Sequence, residues 1–465
     1  MKVKNEFLKS AMRVAIIGTG YVGLTTGVCL GYLGHRVTCL DTDESKIATL
    51  RSGRTPIYEP GLEELLVQAC PNLCFSTSYA EAIPEADVVF VAVGTPPLPD
   101  GTPNLGYLRA AAQGIADHLT GRFTVVVNKS TVPIGSGNWV ESLIRESYGQ
   151  RHGKNLNGRF AIASNPEFLR EGSALLDSLY PDRIVIGADE SRALEVLYSL
   201  YRPVLDQTFA PPTFLPRPDG LAAVPLISTD LASAELIKYA ANAFLALKIS
   251  YINEIGRLAE KVGADITLVA KGIGLDARIG TRFLQAGLGW GGSCFGKDTA
   301  ALISTAAEYS LPMPIVAAAR EINTAQRVRV IEKLLAELKI LKGRTIGLLG
   351  LAFKPHTDDL REAPAFDVAR QLIARGANVR AHDPVALARA RQEYADCGIV
   401  YCESPAEVAE SADALVLVTE WPEYRDLDWE DLVSGMRTRL ILDGRHFLDR
   451  ARLTRAGAHY IGIMG

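Results

Sequence analysis

The sequence predicts an α/β fold: two Rossmann-like α/β domains joined by a long central helix and a helical middle domain. Three observations carry the prediction. Strand-like apolar runs alternate with helical stretches from residue 12 to about residue 188, the run at 231–264 contains no proline, and a second strand–helix series begins at residue 343. At 465 residues the chain also exceeds one ordinary core, which holds roughly 100–200 residues. The expected domains are 1–210, 211–335 and 336–465.

The first series opens with the apolar run at 12–17, which ends in glycines, and continues with runs at 36–41, 86–93, 123–130, 159–166 and 182–188. Strands that alternate with helices form a parallel, doubly wound sheet. From 203 to 229 the chain carries Pro203, Pro211, Pro212, Pro216, Pro218 and Pro225 and reads as a loop or linker. The run at 231–264 reads as one long helix or two nearly collinear ones, of a length that bridges domains or carries a subunit interface. Helical sequence continues to about residue 340, and the second series places strands within 343–355, 377–384, 412–421 and 440–445.

Composition excludes several classes. Hydrophobic residues make up 48% and charged residues 22%, so each domain can bury a core. With a net charge of -4 and no clustered basic run, nucleic acid is not the expected partner. No run of 18 apolar residues predicts a membrane span, and no apolar run precedes the first strand as a secretory signal would. The seven cysteines (29, 39, 70, 74, 294, 397 and 402) are odd in number and irregular in spacing, which fits a reducing cytoplasm rather than a disulfide framework. Cys70 and Cys74 have no matching Cys/His pair nearby, so no metal site is expected.

The most informative motif is Gly18-Thr19-Gly20-Tyr21-Val22-Gly23, which follows a strand and opens a helical pattern. Gly18 permits the tight turn, Gly20 lets backbone approach a pyrophosphate, and Gly23 lets helix and strand pack closely. The next strand ends in Asp41. An acid there accepts hydrogen bonds from a ribose 2′-OH and repels a 2′-phosphate, so the expected cofactor is NAD rather than NADP.

Other segments leave two readings open when taken singly. Cys294 lies in Gly289-Trp290-Gly291-Gly292-Ser293-Cys294-Phe295-Gly296-Lys297-Asp298, just before a helix. A helix N-terminus and a neighbouring Lys favour a nucleophilic thiolate, while most free cysteines are inert and buried. Lys238 and Asn242 share a helix face, which is either solvated surface or part of a site. Glu167 and Glu171 in the 165–172 segment, and Thr131 in 129–133, stand beyond strand ends, where ligands gather and where helix-start residues also gather. Lys354, Arg361 and Arg445 follow strands of the second series and suit either a nucleotide diphosphate or ordinary surface charge.

Together these segments resemble the UDP-glucose 6-dehydrogenases within the wider UDP-glucose/GDP-mannose dehydrogenase family. The resemblance runs from Gly18 to Arg445 through GTGYVG, VGTP, KSTVP, NPEFLREG, ELIKYAANAFLALKISYINE, FLQAGLGWGGSCFGKD and FKPHTDDLREAP, in that order. It implies an NAD-dependent four-electron dehydrogenase that oxidises the C6 alcohol of UDP-glucose to a carboxylate, giving UDP-glucuronate in two hydride transfers. It implies Cys294 as the nucleophile that holds a thiohemiacetal and then a thioester. Lys238 and Asp298 match the pair that handles protons and oxyanion charge, Asn242 a contact to the reacting sugar, and Thr131 and Glu167 the residues that position and activate water. Cofactor contacts are implied at Gly18, Gly20, Tyr21, Val22, Gly23, Asp41, Lys46, Thr95, Thr131, Glu171, Lys297 and Arg361. The sugar-nucleotide pocket is implied at Phe168, Leu169, Arg170, Glu171, Lys238, Asn242, Phe283, Gly291, Lys354 and Arg445. Arg278 matches a residue that reaches the pocket from a partner subunit, which implies a homodimer or larger, with the long helix at the interface.

The sequence departs from the resemblance at Gly296, where many relatives carry Pro, and at Trp290, where they carry Tyr or Phe. The first departure is expected to loosen the cysteine loop and the second to retune the sugar or uracil pocket. The stretches at 206–229 and 151–158 look like small extensions. Three other readings remain: a sibling acting on GDP-mannose or a UDP-N-acetylhexosamine, a one-step dehydrogenase with no need for Cys294, and a non-catalytic dinucleotide sensor that kept the fold.

Overall fold

The structure is a computed structural model that describes residues 11–96, 98, 103–153 and 156–464. Residues 1–10, the segment in which no secretory signal is expected, and Lys154 and Asn155 of the 151–158 extension lie outside the described residues. The chain divides into two compact units, Met1–Ala240 and Ala241–Gly465.

The first unit is built on an eight-stranded sheet: β1 (Arg13–Ile17), β2 (Arg36–Leu40), β3 (Leu73–Ser76), β4 (Val88–Val91), β5 (Thr124–Asn128), β6 (Phe160–Ser164), β7 (Ile184–Gly187) and β8 (Leu226–Thr229). The order is β3-β2-β1-β4-β5-β6-β7-β8, so the winding reverses between β1 and β4, where such sheets open a crevice for ligands. Neighbouring strands are parallel except β6 and β7, which meet antiparallel at Ser164 and Gly187. The inner strands β4 to β7 are buried throughout because both faces are covered. Val14 and Ile16 enter one core, and Ala15 and Ile17 enter the other.

The stretch read as a linker is an anchored part of this unit. The helix Ser191–Leu205 runs through Pro203. Beyond it, Gln207 donates to the carbonyls of Leu179 and Val204, and Tyr180 donates to that of Leu215. Phe209, Leu215, Leu221 and Val224 pack on the core before β8 joins the sheet edge. The prolines bend a segment that buries its own apolar side chains, and proline content alone does not distinguish that from a free linker. One continuous helix spans Leu231–Val262, and Gly263 at φ 74° ends it.

The second unit carries β9 (Thr345–Leu349), β10 (Asn378–His382), β11 (Ile399–Tyr401), β12 (Ala414–Leu417), β13 (Leu440–Asp443) and β14 (His459–Gly462). They form a parallel sheet in the order β11-β10-β9-β12-β13-β14, which repeats the doubly wound pattern. Its first crossover copies that of the first unit. Gly350 follows β9 with φ 101° and donates to the carbonyl of His382, as Gly18 follows β1 with φ 95° and donates to that of Leu40. Asp383 after β10 stands where Asp41 stands after β2. Asp383, however, already accepts from five donors: the backbone N–H of Leu351, Ala352, Val385 and Ala386, and the indole of Trp421. No helix among the described residues is long and apolar enough to cross a membrane, and none of these residues group as metal ligands.

Candidate active site

The turn after β1 shows which glycines serve the fold and which serves a ligand. A Cβ on Gly18 would meet the Ala92 carbonyl oxygen at 2.6 Å, and one on Gly23 would meet the Gly18 carbonyl oxygen at 1.9 Å. Gly20 caps the helix Tyr21–Tyr32 at φ -71° and ψ -170°, and a Cβ there would meet nothing within 4 Å. Packing does not require a glycine at 20; a pyrophosphate approaching the helix N-terminus does. No side chain caps this helix and no acidic residue stands in its first turn, so its N–H groups suit an anion. Asp41 accepts from the Thr19 N–H at 2.7 Å, the Thr19 hydroxyl at 2.8 Å and the Asp43 N–H at 3.1 Å. A carboxylate has roughly four lone-pair positions, which leaves room for a ribose hydroxyl. These residues fit NAD.

The other residues of this unit expected at the cofactor are held by identifiable contacts. Lys46 sits in the first turn of the helix Glu44–Arg51, which Asp43 caps. Val22 packs against the core. The Tyr21 hydroxyl accepts from the Gly172 N–H at 2.8 Å, just after Glu171. The buried carboxylate of Glu59, which the sequence did not single out, accepts from Gly172 and Ala174 and fixes the same turn. The Thr95 hydroxyl donates to the Thr131 carbonyl at 3.0 Å.

Beyond β6 the structure brings Glu167 and Lys238 together. Lys238 Nζ lies 2.8 Å from Glu167 Oε1, with the side chains only 5% and 6% exposed. The other Glu167 oxygen accepts from the Leu169 N–H. Phe168 carries Arg183 over its ring at 3.7 Å and Lys238 at 5.5 Å, while Arg170 pairs with Asp177 at the surface. Behind the pair stands Lys129, buried and donating to Asn165 at 2.9 Å, with Tyr201 donating to the same oxygen. Burial pushes the Lys129 ammonium down to about 8; Glu167 opposes that and Lys238 adds to it. Lys129 and Asn165 lie inside motifs quoted above, but nothing local marked them as buried polar partners.

In the second unit Asp298 is wholly buried and accepts from Asn242 at 2.6 Å and Lys297 at 2.5 Å. Its backbone N–H donates to the Cys294 carbonyl at 2.8 Å, one turn away. Cys294 is half-buried at the N-cap of the helix Phe295–Glu308, and no side chain caps that helix. The loop before it is gripped from several sides. Asn323 binds both the N–H and the carbonyl of Trp290, at 2.7 and 3.0 Å. Arg445 donates to the carbonyls of Gly289 and Val418. The Gly292 N–H donates to the Arg361 carbonyl, and a Cβ on Gly291 would meet the Glu362 carbonyl oxygen at 2.4 Å.

Both sequence departures have a structural account. A Cβ on Gly296 would lie 2.0 Å from a carboxylate oxygen of Glu362, so Glu362 fills the space a larger residue would take. Trp290 is buried, and its indole donates to Ser250. Phe283 has φ 64° and stands edge-on to Phe295. Lys354 lies over Phe353, Arg361 forks onto Asp359 with its other face exposed, and Arg278 is exposed beside Asp276.

A glycine turn and an acid that fit NAD, at the switch point of a doubly wound sheet, mark an NAD-linked dehydrogenase. The chain belongs to the UDP-glucose/GDP-mannose dehydrogenase family. That family's NAD binding domain matches residues 12–205, its central domain 232–325 and its UDP binding domain 347–450. The chain is 45% identical over 461 residues to a UDP-glucose 6-dehydrogenase of Rhizobium meliloti, covering 97% of this chain and 99% of that one. It is 42% identical over 453 residues to the UDP-glucose 6-dehydrogenase TuaD of Bacillus subtilis, covering 97% and 93%. Its fold matches a UDP-glucose dehydrogenase structure from Pyrobaculum islandicum at a TM-score of 0.87, with 40% identity and 98% of each chain covered.

Proposed function

We propose that the chain oxidises UDP-glucose to UDP-glucuronate. The Gly18–Gly23 turn and Asp41 would hold NAD, which would supply the hydride acceptor for both oxidation stages at C6. The Cys294 thiolate adds to the C6 aldehyde as a thiohemiacetal, whose oxidation leaves a thioester for water to cleave. Lys238 and Asp298 hand protons to and from the C6 oxygen, Asn242 orients it, and Thr131 and Glu167 hold the attacking water. The observation that carries this reading is Asp298: a wholly buried carboxylate held by Asn242 and Lys297 within one turn of Cys294. A carboxylate is retained in such a place for chemistry more readily than for stability. The basic residues Lys354, Arg361 and Arg445 belong to the segment 336–465, which on this reading holds the UDP moiety.

The same reading makes the protein a cytoplasmic homodimer. None of its seven cysteines is joined in a disulfide. Phe244, Tyr251 and Leu258 recur every seven residues along the long helix and are exposed, as a subunit interface requires. Arg278 then reaches the pocket of the partner. Sedimentation of wild type and of Tyr251→Glu tests the dimer, which the charge should dissociate. The test of the reaction is the number of NADH formed per UDP-glucose consumed. About two, with acid as product, is expected of a held thioester. One would remove the role given to Cys294, and turnover only with GDP-mannose or an N-acetylated UDP-sugar would move the substrate within the family.

A further inference from the structure

Glu235 is the fifth residue of the long helix, three residues before Lys238, and is 3% exposed. Its carboxylate reaches the segment after β5, accepting from the Gly135 N–H at 2.6 Å and the Gly137 N–H at 2.9 Å. Gly135 is the N-cap of the helix Ser136–His152, at φ 90°, and no side chain of its own can serve that end. A cap is ordinarily a local Ser, Thr, Asp or Asn; here it comes from 98 residues away. Gly137 keeps the approach open, since a Cβ there would lie 3.3 Å from Glu235 Oε1 and 3.2 Å from Leu231. Thr131 is four residues before Gly135, and its carbonyl is held by Thr95.

We propose that Glu235 is a positioning residue for the reaction: it fixes the Thr131 loop to the helix that carries Lys238, and loosens it on taking up a proton. The proposal rests on the roles given above to Thr131 and Lys238. An ionised carboxylate accepts both N–H groups, whereas a carboxylic acid carries a donor on one oxygen and loses one of them. Burial pushes the Glu235 carboxyl up to about 7, against the two N–H bonds that favour the anion. No neighbouring charge contributes to that rise; Lys238, on the same helix, is paired with Glu167, and the first turn of the helix Ser136–His152 contributes no acid. Because the folded value is raised, the charge costs the fold. The stability Glu235 contributes is complete below its unfolded value and is lost as pH rises through about 7. The site gains its clamp over the same window.

The test compares wild type, Glu235→Gln and Glu235→Asp from pH 5.5 to 9, reading kcat and KM for UDP-glucose together with hydrogen exchange of residues 131–137. In wild type kcat should rise about tenfold through pH 7 at nearly constant KM, as the clamp closes. Glu235→Gln should stay at the low value without inflection, and Glu235→Asp should keep an inflection. The Gly135 and Gly137 amides, corrected for intrinsic rate, should lose protection below pH 7 in wild type and at every pH in Glu235→Gln. A Glu235→Gln enzyme with the wild-type inflection, lowered uniformly or not at all, would reduce Glu235 to a helix cap and overturn the proposal. Exchange needs no substrate: unchanged protection in Glu235→Gln sinks the clamp, while lost protection in a chain that does not oxidise UDP-glucose sinks only the assigned reaction.

Discussion

Lys238→Met and Glu167→Gln, alone and combined, probe the buried pair whose side chains are 5% and 6% exposed. At that burial, removing one partner leaves a charge without its counter-ion at a cost of about 3–5 kcal/mol, while removing both is close to neutral. The structure ranks the two single changes. Without Lys238, the Glu167 carboxylate keeps the Leu169 N–H and the field of Lys129, so the cost falls near the lower end. Without the Glu167 charge, Lys238 and Lys129 lose the carboxylate that offsets their mutual repulsion, so the cost falls near the upper end. Each step of about 1.4 kcal/mol changes the folded-to-open ratio tenfold. Native-state hydrogen exchange at Val126 and Ile162, in the buried strands β5 and β6, measures that ratio for the first unit. A coupling energy of at least about 2 kcal/mol is expected from the cycle. Additivity within about 0.5 kcal/mol, or Lys238→Met proving the costlier change, would refute the charge argument.

Three further outcomes follow. Gly20→Ala should change stability by less than about 1 kcal/mol yet weaken NAD at least tenfold by calorimetry, whereas Gly23→Ala, with a backbone oxygen in its way, should cost about 3 kcal/mol or more in urea unfolding. Lys129, held down to about 8, sheds on folding a proton that the unfolded chain keeps up to about 10.5. Stability should therefore rise with pH between those values, by on the order of 3 kcal/mol, and Lys129→Met should lack that rise in unfolding at pH 8, 9 and 10. Asn323→Ala leaves the Trp290 N–H without its partner and its carbonyl with Arg327 alone, at about 1–3 kcal/mol. It should lower kcat at least tenfold by stopped-flow while leaving NAD affinity unchanged.

Much of the fold and part of the site were legible in the sequence, for physical reasons that differ by residue. The glycine turn and Asp41 were readable because their constraints are local: a turn, a helix start and a strand end fall within one crossover. The long helix was readable because nothing in it breaks a helix. β3, β8, β11 and β14 were missed because they are partly exposed edge strands, without the continuous apolar run that marks the equally short β4, β7, β12 and β13. The antiparallel contact of β7 was hidden because it depends on pairing rather than composition. Glu59, Glu235 and Asn323 escaped notice because each binds backbone more than thirty residues away, and a solvated Glu or Asn reads the same until the fold closes on it.

The two look-alike crossovers pose a problem of address. A chain that carries the same glycine bend twice offers one dinucleotide two berths, and occupation of the second would turn away the nucleotide sugar. The difference lies in valence. Asp41 has three donors and a place left, whereas Asp383 has five and none. Filling one carboxylate from within the domain converts a copied recognition element into a structural strut, so a duplicated architecture keeps a single reading of its cofactor without any change in backbone course.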